Sequence, residues 1–457
     1  MSNFYKIGLS LKRYKRSREE TRYFPTPSSH HLFWAVSVLW ALELFTFWPG
    51  VLRVDSLDQL NQALAHSFSD HHPPLMALYW SLLNKIYPGP GLMLGTHLLL
   101  FWGSIYHFAR SLDHKGLQLS YFIIGMSPPL LMFHPFILKD IGFAHSYFFV
   151  ISCLAYYTLK QKSPSLVSLI GLLLILFYGT AVKFQAVFIL PLLTFWLGYS
   201  LQQNYKKAAL VGISLFVVFY GAISLFNARV ATSSHSWQYV KLYDLAGISL
   251  CAGQNYFPTF VIDHPGFSSQ RLKELYNISR VDDLAFIPNP VLIKGKDEQQ
   301  SQELWQYWFK TILNHPLAYL KHRFSIFWCQ INRSFIKAPS EIQSHQEDIQ
   351  PQLLKIASYL EAWNLIKIAK VLTAFAIFLP LQILYFLIGL RYRYEPLGRV
   401  VLFINSAGLT LLVTIFFFSM AAEARYLYLS LGCLHFSHPF VYALWRSIHE
   451  RQRQESF

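Results

Sequence analysis

Charge is scarce in this chain. Only 14% of its 457 residues are charged, and acids are the scarcest, 24 Asp and Glu against 39 Lys and Arg. Soluble domains carry about a quarter charged residues, so an ordinary soluble fold is a poor match. Cysteine is nearly absent too. Cys153, Cys251, Cys329 and Cys433 are far apart and form no CxxC or zinc-ligand spacing, which argues against a disulfide scaffold or zinc module and leaves the compartment open. There is no low-complexity tract and no short-period repeat. The first 30 residues lack an apolar core and carry Lys6, Lys12, Arg13, Lys15, Arg16, Arg18 and Arg22. That pattern excludes a cleaved signal peptide at this end and reads as a basic cytosolic tail, residues 1–30.

What the chain has instead is apolar surface: 53% hydrophobic and 17% aromatic residues, with a mean hydropathy of +0.31. The expected class is an all-α polytopic membrane protein. About ten segments are long enough to cross a bilayer, roughly 32–50, 91–109, 119–138, 141–159, 165–182, 184–200, 208–226, 367–390, 399–418 and 425–445. Segment 74–87 is too short for a span, is interrupted by Asn84 and Lys85, and ends at Pro88-Gly-Pro-Gly91. It reads as a helix at the membrane interface, its aromatic and Leu positions toward lipid.

Basic residues test that reading. With 74–87 not crossing, the clusters Arg110/Lys115, Lys160/Lys162, Lys206/Lys207, Arg391/Arg393/Arg399 and Arg446/Arg451/Arg453 all fall on the side of the basic tail. Counting 74–87 as a span inverts them, against the positive-inside bias. Both termini, including 447–457, are then cytosolic. The net charge of +15 is spent on these short clusters between apolar runs, which removes the argument for a nucleic-acid partner. Residues 31–226 and 366–446 form the expected membrane modules. Residues 227–365 form one large hydrophilic insert, an expected small extracytoplasmic domain with helices near 299–313 and 316–334 and turns at Asn289-Pro290 and Pro339. Asn277-Ile-Ser279 and Asn332-Arg-Ser334 match the glycosylation acceptor triplet, a pattern common by chance.

The informative residues sit on one side of this topology. The first outer loop, 51–90, holds Asp55, Asp58, Asp70, His71 and His72. The second holds Lys139-Asp140, the third Lys183 and Gln185, and the last Glu423-Ala-Arg425-Tyr426. Ionised groups are costly in lipid, and their gathering at one face is what a site for an anionic, lipid-linked substrate needs. Each residue also has a structural reading. Asp55 can cap a helix, Asp58 and Asp70 can belong to a solvated interfacial helix, and Pro73-Pro74 can simply start one. Asp140 can cap its span or pair with Lys139, Lys183 can snorkel, and Arg425 can pair with Glu423 at the surface. Glu43 lies inside the first span, as a functional group or as a protonated acid bonded to a neighbouring helix. Tyr243, Asp244 and Asn255 are the insert residues suited to lining a pocket.

An apolar span, an outer-loop Asp and then His72-Pro73-Pro74-Leu75 opening an interfacial helix resembles the GT-C glycosyltransferases. These include the protein O-mannosyltransferases and lipid A aminoarabinose transferases. Pro128-Pro129 and Lys139-Asp140 are similar to a family span that carries a proline and ends on an acid. The resemblance covers roughly 30–200 well and the last spans loosely, and departs where family members have Asp-Glu and this chain has Asp55-Ser56-Leu57-Asp58. It implies a membrane enzyme, a hexosyl- or pentosyltransferase, that moves a monosaccharide with inversion from a polyprenyl-phosphate donor to a hydroxyl of a glycan, lipid or protein. The expected place is the outer side of a bacterial plasma membrane.

In that scheme Asp55 is the base and Asp140 the next catalytic candidate. Lys139, Lys183 and Arg425 meet the leaving phosphate, while Asp58, His71, His72 and Gln185 contact substrate. No cofactor is expected beyond the donor. A divalent metal is conceivable at His71-His72, Asp70 and Asp55, but no tight site is expected, because adjacent His residues cannot easily face one ion from a regular helix. The rival readings are a transporter or flippase for lipid-linked sugars, with ionisable groups at mid-membrane, and a polymerase or ligase using a polyprenyl-pyrophosphate glycan.

Overall fold

The computed structural model describes residues 29–333 and 375–455, and the fold is mostly helical with almost no strand. The basic tail up to residue 28, the end of the insert with Pro339, and the start of the segment expected at 367–390 lie outside the described residues. In chain order the helices are α1 (Ser29–Phe47), α2 (Val54–Ala65), α3 (Leu75–Asn84), α4 (Gly91–Ser111), α5 (Lys115–Gly125), α6 (Pro128–Leu131), α7 (Lys139–Lys160), α8 (Leu166–Ala181), α9 (Leu190–Gln202) and α10 (Tyr205–Val230). The insert follows with α11 (Gln238–Ala252), α12 (Thr259–Ile262), α13 (Ser269–Leu275), α14 (Asp282–Ala285), α15 (Glu298–Asn314) and α16 (Pro316–Asn332). Then come α17 (Phe375–Arg391), α18 (Pro396–Phe418) and α19 (Tyr428–Glu455).

Five of these, α1, α4, α7, α10 and α18, are long and apolar enough to cross a membrane. They differ in what they bury. α4 and α7 pack on each other at the centre, with Phe101, Trp102, Phe108, Tyr147 and Phe148 fully enclosed. α1 and α10 bury little of their apolar surface and expose Phe33, Trp34, Val38, Phe45, Leu210, Ile213, Val217 and Val218. Such faces are unfavourable against water and suit lipid. Local sequence sets the helix ends. Asn204 accepts from the amides of Lys206 and Lys207, Asp297 accepts from Gln300, and Pro191, Pro316 and Pro396 occupy first turns, where a missing N–H costs nothing.

Two expectations are corrected. Segment 119–138 is not one helix. α5 ends at Gly125, Pro128-Pro129 open the single turn α6, and residues 132–138 run irregularly to α7, since prolines cannot supply the amides a continuous helix needs. In α3 the aromatics do not face lipid. Trp80 is fully buried and donates to the Gly89 carbonyl (3.1 Å), while Tyr79 meets Thr96 (3.2 Å) and the Tyr178 ring. Within α3 the exposed large apolar side chain is Leu82, and Ile86 and Tyr87 are exposed just past its end, so α3 is largely a core element and only Leu82 and the 86–87 end of the segment show the expected outward face.

The insert carries its own hydrophobic core, built on Leu242, Tyr243, Leu245, Val261, Leu284, Leu292, Leu304 and Ile326. A buried ion pair crosses it. Asp244 accepts from Arg323 (2.6 Å) and Trp308 (2.9 Å), and Arg323 also donates to the Ser419 carbonyl (2.8 Å), which fastens α16 to the end of α18. Burial pushes the Asp244 carboxyl up, against the pull of Arg323. Tyr243 is likewise buried and donates to Asn277, and Asn255 bonds Ser269 at the surface. These three have structural partners, and none of them lines the cavity described below.

Candidate functional site

The segment after α1 is held tightly. Gly50 has a left-handed φ of 104°, and a side chain there would collide with Ile137; one at Gly91 would strike the Trp48 indole. Val51 pairs with the irregular stretch before α7, its amide donating to Pro135 and its carbonyl accepting from Ile137. Ser56 on α2 donates to the Ile137 carbonyl. The start of α2 is thereby fixed beside the start of α7, bringing Asp55 and Asp58 up to Lys139 and Asp140. The i, i+3 spacing of Asp55 and Asp58 on a helix turns both toward this cluster.

Arg425, on the 3₁₀ turn Ala424–Leu427 just before α19, links the two acids. Its guanidinium lies 2.9 Å from Asp55 and 3.7 Å from Asp140. Lys183, on the turn after α8, ion-pairs with the other Asp140 oxygen. The Tyr426 ring underlies both cations, 4.3 Å from the Lys183 ammonium and 5.4 Å from the Arg425 guanidinium. Lys139 bonds His72 Nδ1, and His72 Nε2 lies 3.8 Å from Asp58, which also accepts from Gln62 (2.7 Å). Three carboxylates, two ammoniums, a guanidinium and an imidazole therefore form one connected cluster drawn from four separate chain segments.

Access is graded across it. Asp58 is 46% exposed, Asp55 25% and Arg425 16%, whereas Lys183 is 5% and Asp140 1% exposed. The 3.7 Å gap between Arg425 Nε and Asp140 Oδ2 is too long for a hydrogen bond, and neither atom has another partner. Burial alone would raise the Asp55 carboxyl, but Arg425, Lys139 and His72 outweigh it and hold it well below the carboxylate range. Burial, then Lys139, takes the His72 imidazole down to about 3, so it is neutral near pH 7. His71 is also lowered, by burial and then by Lys139.

Of the sequence-derived candidates, Asp55, Asp58, His72, Lys139, Asp140, Lys183 and Arg425 meet in the cluster. His71 stands at its edge, its ring 4.7 Å from His72 and its Nδ1 2.8 Å from Ser236. Asp70 turns away and fixes the loop, accepting from the Ser233 hydroxyl (3.1 Å) and the Ser234 amide. Gln185 is half-buried on the same turn as Lys183. Two pairings differ from expectation: Asp140 takes Lys183 and not a cap or Lys139, and Glu423 goes to Arg333 (3.8 Å) and leaves Arg425 to Asp55. Sequence reading missed Ser236, Phe286 and Lys294, which reach His71 from the insert. No local pattern marks them.

Among the described residues, no three His, Cys, Asp or Glu side chains group so as to hold a metal ion. Comparison with family models, curated proteins and solved structures finds no match to this chain.

Proposed function

We propose that the chain is a membrane glycosyltransferase of the GT-C type, with about ten spans, cytosolic termini and its reaction centre on the extracytoplasmic side. The donor is a polyprenyl-phosphate monosaccharide and the acceptor a hydroxyl of a glycan, lipid or protein. The observation that carries this reading is the Arg425 bridge between Asp55 and Asp140, with Lys139 beside it: cations for a phosphate and carboxylates for a proton in one partly open cluster.

The chemistry follows from what each group can do. The acceptor oxygen attacks the anomeric carbon as the bond from that carbon to the phosphate oxygen breaks. The phosphate leaves with the electron pair, and the hydroxyl proton passes to a carboxylate. Asp55 is a weak base while Arg425 holds it. Donor phosphate that recruits Arg425 and Lys139 weakens that hold and restores basicity when it is needed. Lys183, enclosed with Asp140, neutralises that carboxylate and fixes its position, while Asp140 Oδ2 faces Arg425 from beneath and helps hold the guanidinium at the site. Neutral His72 relays the position of Lys139 to Asp58.

The test is release of polyprenyl phosphate by the protein in lipid nanodiscs from a panel of polyprenyl-phosphate and polyprenyl-pyrophosphate sugars, with Asp55→Asn alongside. Turnover of a monophosphate donor that collapses in the variant supports the reading. Use of pyrophosphate donors alone moves it to a polymerase or ligase. Saturable donor binding with no turnover moves it to a transporter of lipid-linked sugar, a reading favoured by the buried Glu43–His134 pair (2.9 Å).

A further inference from the structure

A cavity of about 440 Å³ opens in the insert, away from the Asp55–Arg425 bridge. Its wall is made by the 233–235 loop, Tyr239 on α11 and the irregular 290–296 segment, and its lining has a one-sided chemistry. Lys294, Lys296 and His235 are present with the Ser233 and Ser234 hydroxyls, and no carboxylate is among the lining residues. Lys294 donates to the Ser234 carbonyl, which uses one of its three N–H donors, and its ammonium lies 5.5 Å from the Tyr239 ring. Pro290 and Ile293 supply an apolar side. The volume is that of a small-molecule site.

The cavity adjoins the charge cluster through named contacts. Tyr239 packs on Phe286 (5.0 Å), Phe286 on His71 (6.2 Å) and His71 on His72 (4.7 Å), which is bonded to Lys139. On the other wall, Ser233 and Ser234 are fixed by Asp70, and the short parallel pairing of Phe68–Ser69 with Ala231–Thr232 keeps the first loop against the 233–235 loop.

We propose that this cavity is a binding site for an anionic saccharide, a sugar bearing a carboxylate or a phosphate. The ammoniums of Lys294 and Lys296 meet the anion, the Tyr239 face and Ile293 receive the ring, and the serine hydroxyls meet sugar hydroxyls. The role of this ligand as the acceptor rests on the glycosyltransferase reading; its binding does not.

Binding is therefore measured without donor, by ligand-observed NMR on the full chain in nanodiscs. The probes are a hexose phosphate, a hexuronate, the neutral hexose and inorganic phosphate. Either anionic sugar, or both, should bind at least tenfold more tightly than neutral hexose and inorganic phosphate; which one binds identifies the anion. Lys294→Gln with Lys296→Gln should remove this preference. Lys296 is exposed, so Lys296→Glu provides a variant whose folding is not in question and should weaken anionic-sugar binding at least tenfold. Equal binding of neutral hexose, equal binding of inorganic phosphate, or affinity untouched in Lys296→Glu overturns the proposal. Failure of the glycosyltransferase reading has a different signature, absence of polyprenyl phosphate release with anionic-sugar binding intact.

Discussion

Two polar networks share the central helices and differ in whether anything can reach them. In the cluster around Arg425, exposure runs from 46% at Asp58 to 1% at Asp140, and one facing donor–acceptor pair is unsatisfied. The other lies deeper between α1, α4 and α7. Glu43 accepts from the Trp102 indole (3.0 Å) and meets His134 (2.9 Å); His145 Nδ1 donates to the His97 carbonyl (2.8 Å), and its Nε2 meets the Tyr428 hydroxyl (3.1 Å). Phe101 packs against both His134 and His145, and the side chains of Glu43, His134 and His145 are almost wholly enclosed. Both networks contain acids and bases, yet only the first has the open edge a substrate needs. The sealed one pins residue 134, in the irregular stretch that leads to Lys139 and Asp140, and so supports the open one from beneath.

The sharpest way to test that division is Asp55→Asn, which should lower donor turnover by about 10²–10⁴-fold, the range for loss of a general base; it also removes the carboxylate paired with Arg425, so the denaturation midpoint should fall too and turnover is compared at equal folded amount. Asp140→Ala should act mainly on folding. It leaves Lys183 buried without a partner, an arrangement that costs about 3–5 kcal/mol, read as a drop in denaturation midpoint. Adding Lys183→Met should recover much of that loss. Glu43→Gln should cost about 1–3 kcal/mol through its unsatisfied buried neighbour and leave turnover within a few-fold. A collapse of turnover with stability intact would break the comparison. Asp58→Asn, at the wet edge, should change stability by less than about 1 kcal/mol.

Another effect is in pH. His72 titrates near 3 when folded and near its ordinary 6.5 when unfolded. Between these values the unfolded chain binds the extra proton, so stability falls as pH drops from about 6.5 toward 3. Asp55 is lowered in the fold, so its contribution is complete above about pH 4, the unfolded carboxyl value, and is lost only below it. Denaturation midpoints at pH 7 and 5 should therefore differ less in His72→Gln than in the parent chain, and an unchanged difference would assign the slope to another group.

The site was legible because of contrast. Ionisable residues in a chain this apolar stand out, and the alternation of spans expected from hydropathy places Asp55, His72, Lys139, Asp140, Lys183 and Arg425 on one side before any contact is known. Partner choice was not legible. Glu423 is two residues from Arg425 and takes Arg333 instead, an outcome set by the tertiary position of the 3₁₀ turn. The break in 119–138 was written in Pro128-Pro129 but outweighed by hydropathy. The buried face of α3 was hidden because an interfacial helix and a core helix present the same short apolar run. The cavity wall at 233–235 and 290–296 gave no signal at all, since serines and lysines in a hydrophilic insert carry no contrast.

The Arg425 bridge also dictates an order of events in the life of the chain. Asp55 is made long before its counter-ion, which lies just ahead of α19. Until that helix is threaded into place, Asp55 and Asp140 stand without the guanidinium that joins them, and the Lys183 ammonium lacks the Tyr426 ring beneath it. A chain still emerging from the ribosome, or one cut short before residue 424, has the first half of the centre and nothing to close it. Whatever the centre does begins only after residue 425 is made and seated, so that turn serves as an assembly signal written into the covalent order of the protein.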